Sequence, residues 1–231
     1  MTNINLILEQ DKEHIEGKII ELFKHYEQRV MGRCDVSDAD HHAPYLFNED
    51  KRSLPNAVAL LSFHLGQELE KTDDNQTFYC YEHAYLCAEA PSFHNKVVSK
   101  YSRLYDVKKH PSTHCGFLMQ AHGWYNDYWE NRHSVWLSSA IGSLREAHNH
   151  SSLCRDKPFE RVLFQRRFLP LFVDIYKQAY FDHVLIDRDR HFLLDNYQEF
   201  LQYAMPNNEV RQDLVKLSFH CEKALGYYSV K

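Results

Sequence analysis

Residues 210–225 read VRQDLVKLSFHCEKAL, and the spacing of the apolar residues in this stretch predicts an α-helix. Every third or fourth residue is apolar, which places these residues on one face of a helix. They are Val210, Leu214, Leu217, Cys221 and Leu225. The same spacing occurs near the start of the chain at Ile15, Ile19, Phe23, Tyr26 and Val30. Only 7 of the 231 residues are glycine and 7 are proline, so the many tight turns of an all-β protein would be hard to form. The sequence therefore predicts an all-α fold.

The helical pattern recurs over the whole chain, and we expect a single all-helical domain over residues 1–231. The pattern indicates about eight to ten helices, with a long polar loop at about residues 32–53. The aromatic segment before Asn131 is expected to continue past that residue as one bent helix. The helix that contains Pro170 is expected to kink or end there. Residues 189–205 are expected to form one helix.

Charged residues near the N-terminus argue against a signal peptide. The first apolar residues are interrupted by Glu9, Asp11, Lys12 and Glu13. The longest strongly apolar stretch, residues 57–63, is far shorter than the roughly 20 residues that cross a bilayer. The 6 cysteines include no Cys-x-x-Cys pair, which favours buried thiols in a reducing compartment. We therefore expect a soluble cytoplasmic protein that does not bind membranes.

Residues 145–150 read REAHNH and follow an apolar helical run. This arrangement resembles the Arg-x4-6-His motif of the HEPN-family ribonucleases, which are all-α proteins. In that family such a pair, usually from two dimerised chains, cleaves RNA without a metal. The resemblance implies that His150 moves the proton of the 2′-hydroxyl and that Arg145 stabilises the charge on the phosphorane. The family usually has a small polar residue directly after the arginine, where this chain has Glu146.

The chain contains 16 histidines, and histidine can bind a metal, transfer a proton or sense pH near neutrality. Two groups of histidines and acids have the composition of a metal site. They are Asp38, Asp40, His41 and His42, and then His110, His114 and His122. Neither group has carboxylates at the helical spacing of a metal-binding bundle. We therefore assign no metal ligands and no cofactor, and keep a histidine/carboxylate metal-dependent enzyme as an alternative.

A third group of acids and histidines surrounds a predicted break between helices near Ile186. Its members are Asp182, His183, Asp187, Asp189 and His191. An aspartate beside a histidine can orient the imidazole as a base, but Asp189 is also placed to cap the helix that follows. We expect Asp189 to act as a cap.

A short basic stripe is predicted on the helix that begins near Ser92. Lys96, Lys100 and Arg103 are spaced so that they share one helix face. Such a stripe could bind the phosphates of a nucleic acid, although its usual role is a solvated helix face opposite the core. The net charge of −5 favours the solvated face, because most nucleic-acid-binding modules are basic.

Aromatic residues make up 14% of the chain, and several are concentrated in one predicted helix. Trp124, Tyr125, Tyr128 and Trp129 cover a broad arc of that helix. Core packing is the usual role of such residues, but tyrosine and tryptophan also dominate protein interfaces. One part of the arc is expected to face the core and another part a partner.

These patterns favour a binding protein over an enzyme. We expect a non-catalytic helical interaction subunit or adaptor of a larger cytosolic assembly, with a protein partner or a second copy of the chain bound at the aromatic helix. The alternatives are a HEPN-like, metal-independent ribonuclease that uses Arg145 and His150, and a metal-dependent enzyme. Nucleic acid is a second possible ligand, at Lys96, Lys100 and Arg103.

Overall fold

A computed structural model describes residues 12–30, 54–108, 113–151, 158–204 and 208–227. These ranges contain ten α-helices and no strand, which confirms the predicted all-α fold. None of the described helices is long and apolar enough to cross a membrane. The polar loop predicted at about residues 32–53 lies outside the described residues.

The helices group into two compact units that divide between Ser112 and Thr113. The first unit contains α1 (Lys12–Val30), α2 (Leu54–Leu69), α3 (Asp74–Cys87) and α4 (Pro91–Lys108). The second unit contains α5 (His114–Asn131), α6 (Ser134–Ser151), α7 (Pro158–Phe181), α8 (Asp187–Asp195), α9 (Tyr197–Tyr203) and α10 (Asn208–Ala224). The expectation of one domain stays a prediction.

In the first unit, each helix packs against the next one along the chain. α2 and α3 approach closely because Gly66 has no side chain, and a Cβ atom there would lie 2.8 Å from Cε1 of Tyr81. The buried Tyr81 donates its hydroxyl hydrogen to Glu70. Glu70 also pairs with Lys100 of α4, whose Nζ lies 3.0 Å from its carboxylate. The contact between Gly66 and Tyr81 therefore sets the spacing of two helices, and Glu70 connects them to a third.

In the second unit, α5 and α6 are separate helices, not the one bent helix that the sequence predicts. α5 starts where Thr113 accepts a hydrogen bond from the backbone N–H of Gly116 at 2.8 Å. It ends at Arg132, which has the left-handed backbone conformation with φ 55°. A left-handed residue cannot continue a right-handed helix, and α6 begins two residues later. The short connection makes α5 and α6 neighbours, and both pack against α7.

α7 continues through Pro170, where the sequence predicts a kink or an end. Proline removes one helical hydrogen bond, which costs about 3 kcal/mol. The residues on both sides of Pro170 are buried, namely Phe168, Leu169, Phe172 and Val173. Burial of each such side chain contributes roughly 1.5–3 kcal/mol, so packing outweighs the cost of the proline.

Two short helices, α8 and α9, replace the single helix expected over residues 189–205. The break falls at Asn196, whose amide Nδ2 donates to the carbonyl oxygen of Phe192 at 2.8 Å. A side chain that binds the preceding turn in this way competes with helix continuation. α8 packs against α10, and α9 packs against α7.

Candidate functional site

The four aromatic residues predicted to bind a partner divide between the interior and the surface of the second unit. Tyr128 is buried, and its hydroxyl donates to Asp182 and accepts from Nε2 of Gln178 at 3.0 Å. Trp124 is half-buried and stacks on Trp136 of α6, with ring centroids 5.2 Å apart. Tyr125 is also half-buried, and burial raises the pKa of its hydroxyl.

Trp129 is the exposed member of this group, with 45% of its surface accessible to water. The guanidinium of Arg132 lies over its ring, 3.9 Å from the centroid. Tyr125 and Tyr128 contact the same ring edge-on, with centroids 5.9 and 5.5 Å from it. These three contacts hold the indole in one orientation while much of it faces water.

Two further aromatic side chains are exposed in the second unit. Phe181 at the end of α7 is 67% exposed, and Phe219 of α10 is 50% exposed. Between them lie Tyr180 and His220, which stack with centroids 4.7 Å apart. Tyr180 contacts Phe181, and His220 contacts Phe219.

Trp129 is connected to these residues through Tyr128. The ring of Tyr128 contacts Trp129, and its hydroxyl hydrogen-bonds to Asp182, the residue after Phe181. We use the term aromatic surface for Trp129, Phe181 and Phe219. Phe181 and Phe219 were not predicted from the sequence as exposed residues. A signal for Phe219 was present, since it lies off the apolar stripe of residues 210–225 and would therefore face away from the core.

Arg145, the first candidate catalytic residue, is part of a buried ion pair. Its NH1 lies 2.8 Å from Oδ1 of Asp189, and the two side chains are only 16% and 7% exposed. The other oxygen of Asp189 accepts the backbone N–H of Ile186 at 3.4 Å, at the start of α8. Asp189 therefore assists the cap from inside the first turn and connects α8 to α6. The buried Tyr176 is near this pair, and burial, followed by the charge of Asp189, raises its pKa well above the ordinary value.

His150, the second candidate catalytic residue, has different neighbours. Its ring packs on Phe117 of α5, with centroids 5.1 Å apart, and Nε2 lies 4.0 Å from the carboxylate of Glu146. Residues five positions apart on an α-helix point roughly 140° apart. Within one chain, the structure thus places Arg145 and His150 in separate surroundings on α6.

The histidine between them, His148, is much more enclosed, with 11% of its side chain exposed. Its ring contacts Phe168, Phe192 and Phe200, with centroids 5.2–5.8 Å away. Nε2 lies 3.0 Å from Oδ1 of Asn196. Burial lowers the pKa of His148, and the Glu199 carboxylate and the hydrogen bond to Asn196 act in the opposite direction. The sequence analysis did not single out His148.

The candidate phosphate-binding residues lie on α4 in the first unit. Nζ of Lys96 lies over the ring of Phe63, 4.9 Å from its centroid. Lys100 pairs with Glu70, as described above. Arg103 is exposed. Two of the three cations therefore make contacts within their own unit.

The candidate metal-binding groups are only partly described. Asp38, Asp40, His41, His42 and His110 lie outside the described residues. Of the others, His114 packs edge-on against Phe164 at 5.0 Å, and His122 is half-buried. No three histidine, cysteine or acidic side chains within the described ranges are placed to hold a metal ion. In the third group, Nδ1 of His191 lies 2.8 Å from the carbonyl oxygen of Asp187, and His183 is exposed in the left-handed conformation.

No protein-family model, curated protein or solved structure matches this chain.

Proposed function

We propose that this protein is a non-catalytic helical subunit or adaptor, and that it binds a protein partner or a second copy of itself through the aromatic surface. The observation that carries the proposal is the exposure of three large aromatic side chains, Trp129, Phe181 and Phe219, on one unit. Covering such a side chain contributes roughly 1.5–3 kcal/mol. Aromatic residues of this kind are enriched where binding energy is concentrated.

The exposed aromatic side chains are already held in place before binding, which supports the same proposal. Arg132 and two tyrosines hold the ring of Trp129, and the stacked pair Tyr180 and His220 supports Phe181 and Phe219. Immobilising a flexible side chain on binding costs about 0.5–1.5 kcal/mol. This cost is smaller for side chains that are already immobilised before a partner covers them.

We place the assembly in the cytosol. The cysteine spacing in the sequence supports a reducing compartment. Cys221 is a buried thiol, and burial raises its pKa to about 11, which keeps it protonated and unreactive.

The two enzyme alternatives and nucleic-acid binding have less support. The guanidinium of Arg145 is already engaged by Asp189, so it would have to exchange that carboxylate for a phosphate. Lys100 would likewise have to leave Glu70. These functions stay predictions from the sequence.

Alanine variants of the aromatic surface test the proposal. Trp129→Ala, Phe181→Ala and Phe219→Ala are compared with Tyr79→Ala, because Tyr79 is an equally exposed aromatic residue in the first unit. Sedimentation velocity measures self-association, and cross-linking with mass spectrometry in cells identifies a different partner. We expect the three variants, but not Tyr79→Ala, to weaken the complex at least tenfold while the protein stays folded; Trp129→Ala also loses its contact with Arg132, which lowers stability by about 0.5–1 kcal/mol. Equal association of all four variants and the wild type would contradict the proposal.

A further inference from the structure

His148 is enclosed on several sides by one short segment of the chain. Phe192 of α8, Asn196 and Phe200 of α9 contact its ring, and Phe168 of α7 covers another side. The imidazole therefore attaches Asn196 and α9 to α6, whereas α8 is also held to α6 by the ion pair between Arg145 and Asp189. Whatever changes the charge of that ring acts directly on the attachment.

The hydrogen bonds around Asn196 determine which ring nitrogen carries the proton. Nδ2 of Asn196 donates to the carbonyl oxygen of Phe192, so its Oδ1 faces His148 as an acceptor. Nε2 of His148 must therefore be the donor in the 3.0 Å contact. The neutral ring then carries its proton on Nε2, and Nδ1 has an open lone pair.

Nδ1 is buried and has no hydrogen-bond partner among the described residues. A second proton would have to bind at this atom, because Nε2 already carries one. The resulting N–H would be buried without an acceptor, and the ring would carry a positive charge among three phenylalanines. A buried donor without a partner destabilises the state that contains it, and more strongly when the donor is charged. The closed arrangement therefore disfavours protonation.

The charged groups near the ring offset this cost only in part. Glu199 of α9 lies 3.8 Å from Nε2, and Arg161 of α7 lies 3.8 Å from the other oxygen of the same carboxylate. Glu199 is 39% exposed, so water screens its attraction for the ring. From α8, the ring is contacted by the uncharged Phe192.

We propose that His148 is an acid-sensitive latch, which holds residues 196–203 against α6 and α7 while the ring is neutral and releases them when Nδ1 is protonated. The direction of the pH dependence follows from the burial of the ring. Burial lowers the pKa of His148 in the closed state below its ordinary value of 6.5, whereas the released ring regains that value. The latch is therefore fully closed above about pH 6.5 and weakens as pH falls, with the ratio of open to closed molecules rising at most about tenfold per pH unit. The inference goes beyond the proposed function and does not depend on the aromatic surface.

Hydrogen exchange of the full chain tests the latch. Amide protection is measured at pH 7.5 and pH 5.5 and corrected for the intrinsic pH dependence of exchange. In the wild type, we expect opening of residues 197–203 to increase at pH 5.5, by at most about tenfold, relative to residues 137–144 of α6. His148→Phe fills the same aromatic surroundings without titrating, and it should abolish the increase. His150→Gln, on the same helix, should keep it.

A direct titration of the wild-type ring keeps the proposal falsifiable if His148→Phe does not fold. NMR of the His148 side chain should show the Nε2–H tautomer at pH 7.5 and a pKa below 6.5. A pKa at or above 6.5, an Nδ1–H tautomer, or equal protection of residues 197–203 at both pH values would overturn the latch. So would an increase in opening that persists in His148→Phe.

Discussion

Removal of the Arg145 side chain is expected to destabilise the second unit strongly. In Arg145→Ala, the carboxylate of Asp189 stays in a site where only 7% of the side chain reaches water. Its remaining polar contact in the described structure is the Ile186 N–H at 3.4 Å. Loss of one partner of a buried ion pair typically costs 3–5 kcal/mol. Because Arg145 is itself 16% exposed, we expect the lower end, a decrease of about 3 kcal/mol in the free energy of unfolding.

Tryptophan fluorescence during urea denaturation measures the free energy of unfolding of the second unit. All 3 tryptophans, Trp124, Trp129 and Trp136, lie in the second unit, so their emission follows that unit. His150→Ala is the matched control on the same helix, and we expect it to cost below about 1 kcal/mol because its ring is partly exposed. The double variant Arg145→Met/Asp189→Asn should recover at least half of the loss, because it leaves no unpaired charge.

The outcome separates a structural role of Arg145 from a catalytic one. A loss below about 1 kcal/mol in Arg145→Ala would refute the reasoning, because the ion pair would then contribute no more than an exposed pair. If, in addition, Arg145→Ala and His150→Ala both abolished RNA cleavage by the wild-type protein without changing stability, the ribonuclease interpretation would replace ours.

Three further predictions concern other parts of the chain. Gly66→Ala should destabilise the first unit by about 1–3 kcal/mol through overpacking. Gly17→Ala is the control, because a Cβ there meets nothing within 4 Å, and it should stabilise its helix by up to about 1 kcal/mol. Thermal unfolding followed by circular dichroism compares the two variants, and equal effects would contradict the close contact between Gly66 and Tyr81. Arg132→Gly should be near neutral in urea denaturation, because relief of the left-handed backbone (about 1–2 kcal/mol) offsets the loss of two cation–π contacts, with Tyr128 and Trp129 (about 0.5–1 kcal/mol each). Arg132→Ala loses both contacts without that relief and should be less stable. With a thiol reagent at pH 8, the half-buried Cys80 should react before Cys221, whose pKa is raised to about 11 by burial; simultaneous reaction in the native protein would refute the stated burial.

The helices were predictable from sequence because their apolar periodicity is a local property. Positions that depend on contacts distant in sequence were not. Arg132 ends α5 in a conformation that arginine rarely adopts, so no residue type signalled the break. The sequence predicts Asp189 as the residue that caps the helix, whereas the N-cap is Ile186 and Asp189 accepts its backbone N–H from inside the first turn. The ion pair of Asp189 with a residue 44 positions earlier was not predictable.

The candidate site was only partly predictable, because the exposure of its residues also depends on contacts distant in sequence. The aromatic helix was recognised from composition, yet which of its rings reach water depends on Asp182 and Gln178, some 50 positions later. Phe181 was not predicted to be exposed because it is the last residue of an apolar helix and no change of pattern precedes it. A role for His148 was not predicted, because its aromatic surroundings come from three other helices that lie later in the chain.

The stacked rings along α7 also bear on the order in which the second unit folds. Phe164, Phe168, Phe172 and Tyr176 are spaced four residues apart, and each ring stacks on the next with centroids 5.3, 5.5 and 4.0 Å apart. Contacts this close in sequence need almost no loop closure, so they can form as soon as the helix has a few turns. The apolar face of α7 is therefore expected to form early in folding, and helices more distant in sequence then pack against it. The slow steps of folding are expected to be the docking of those helices.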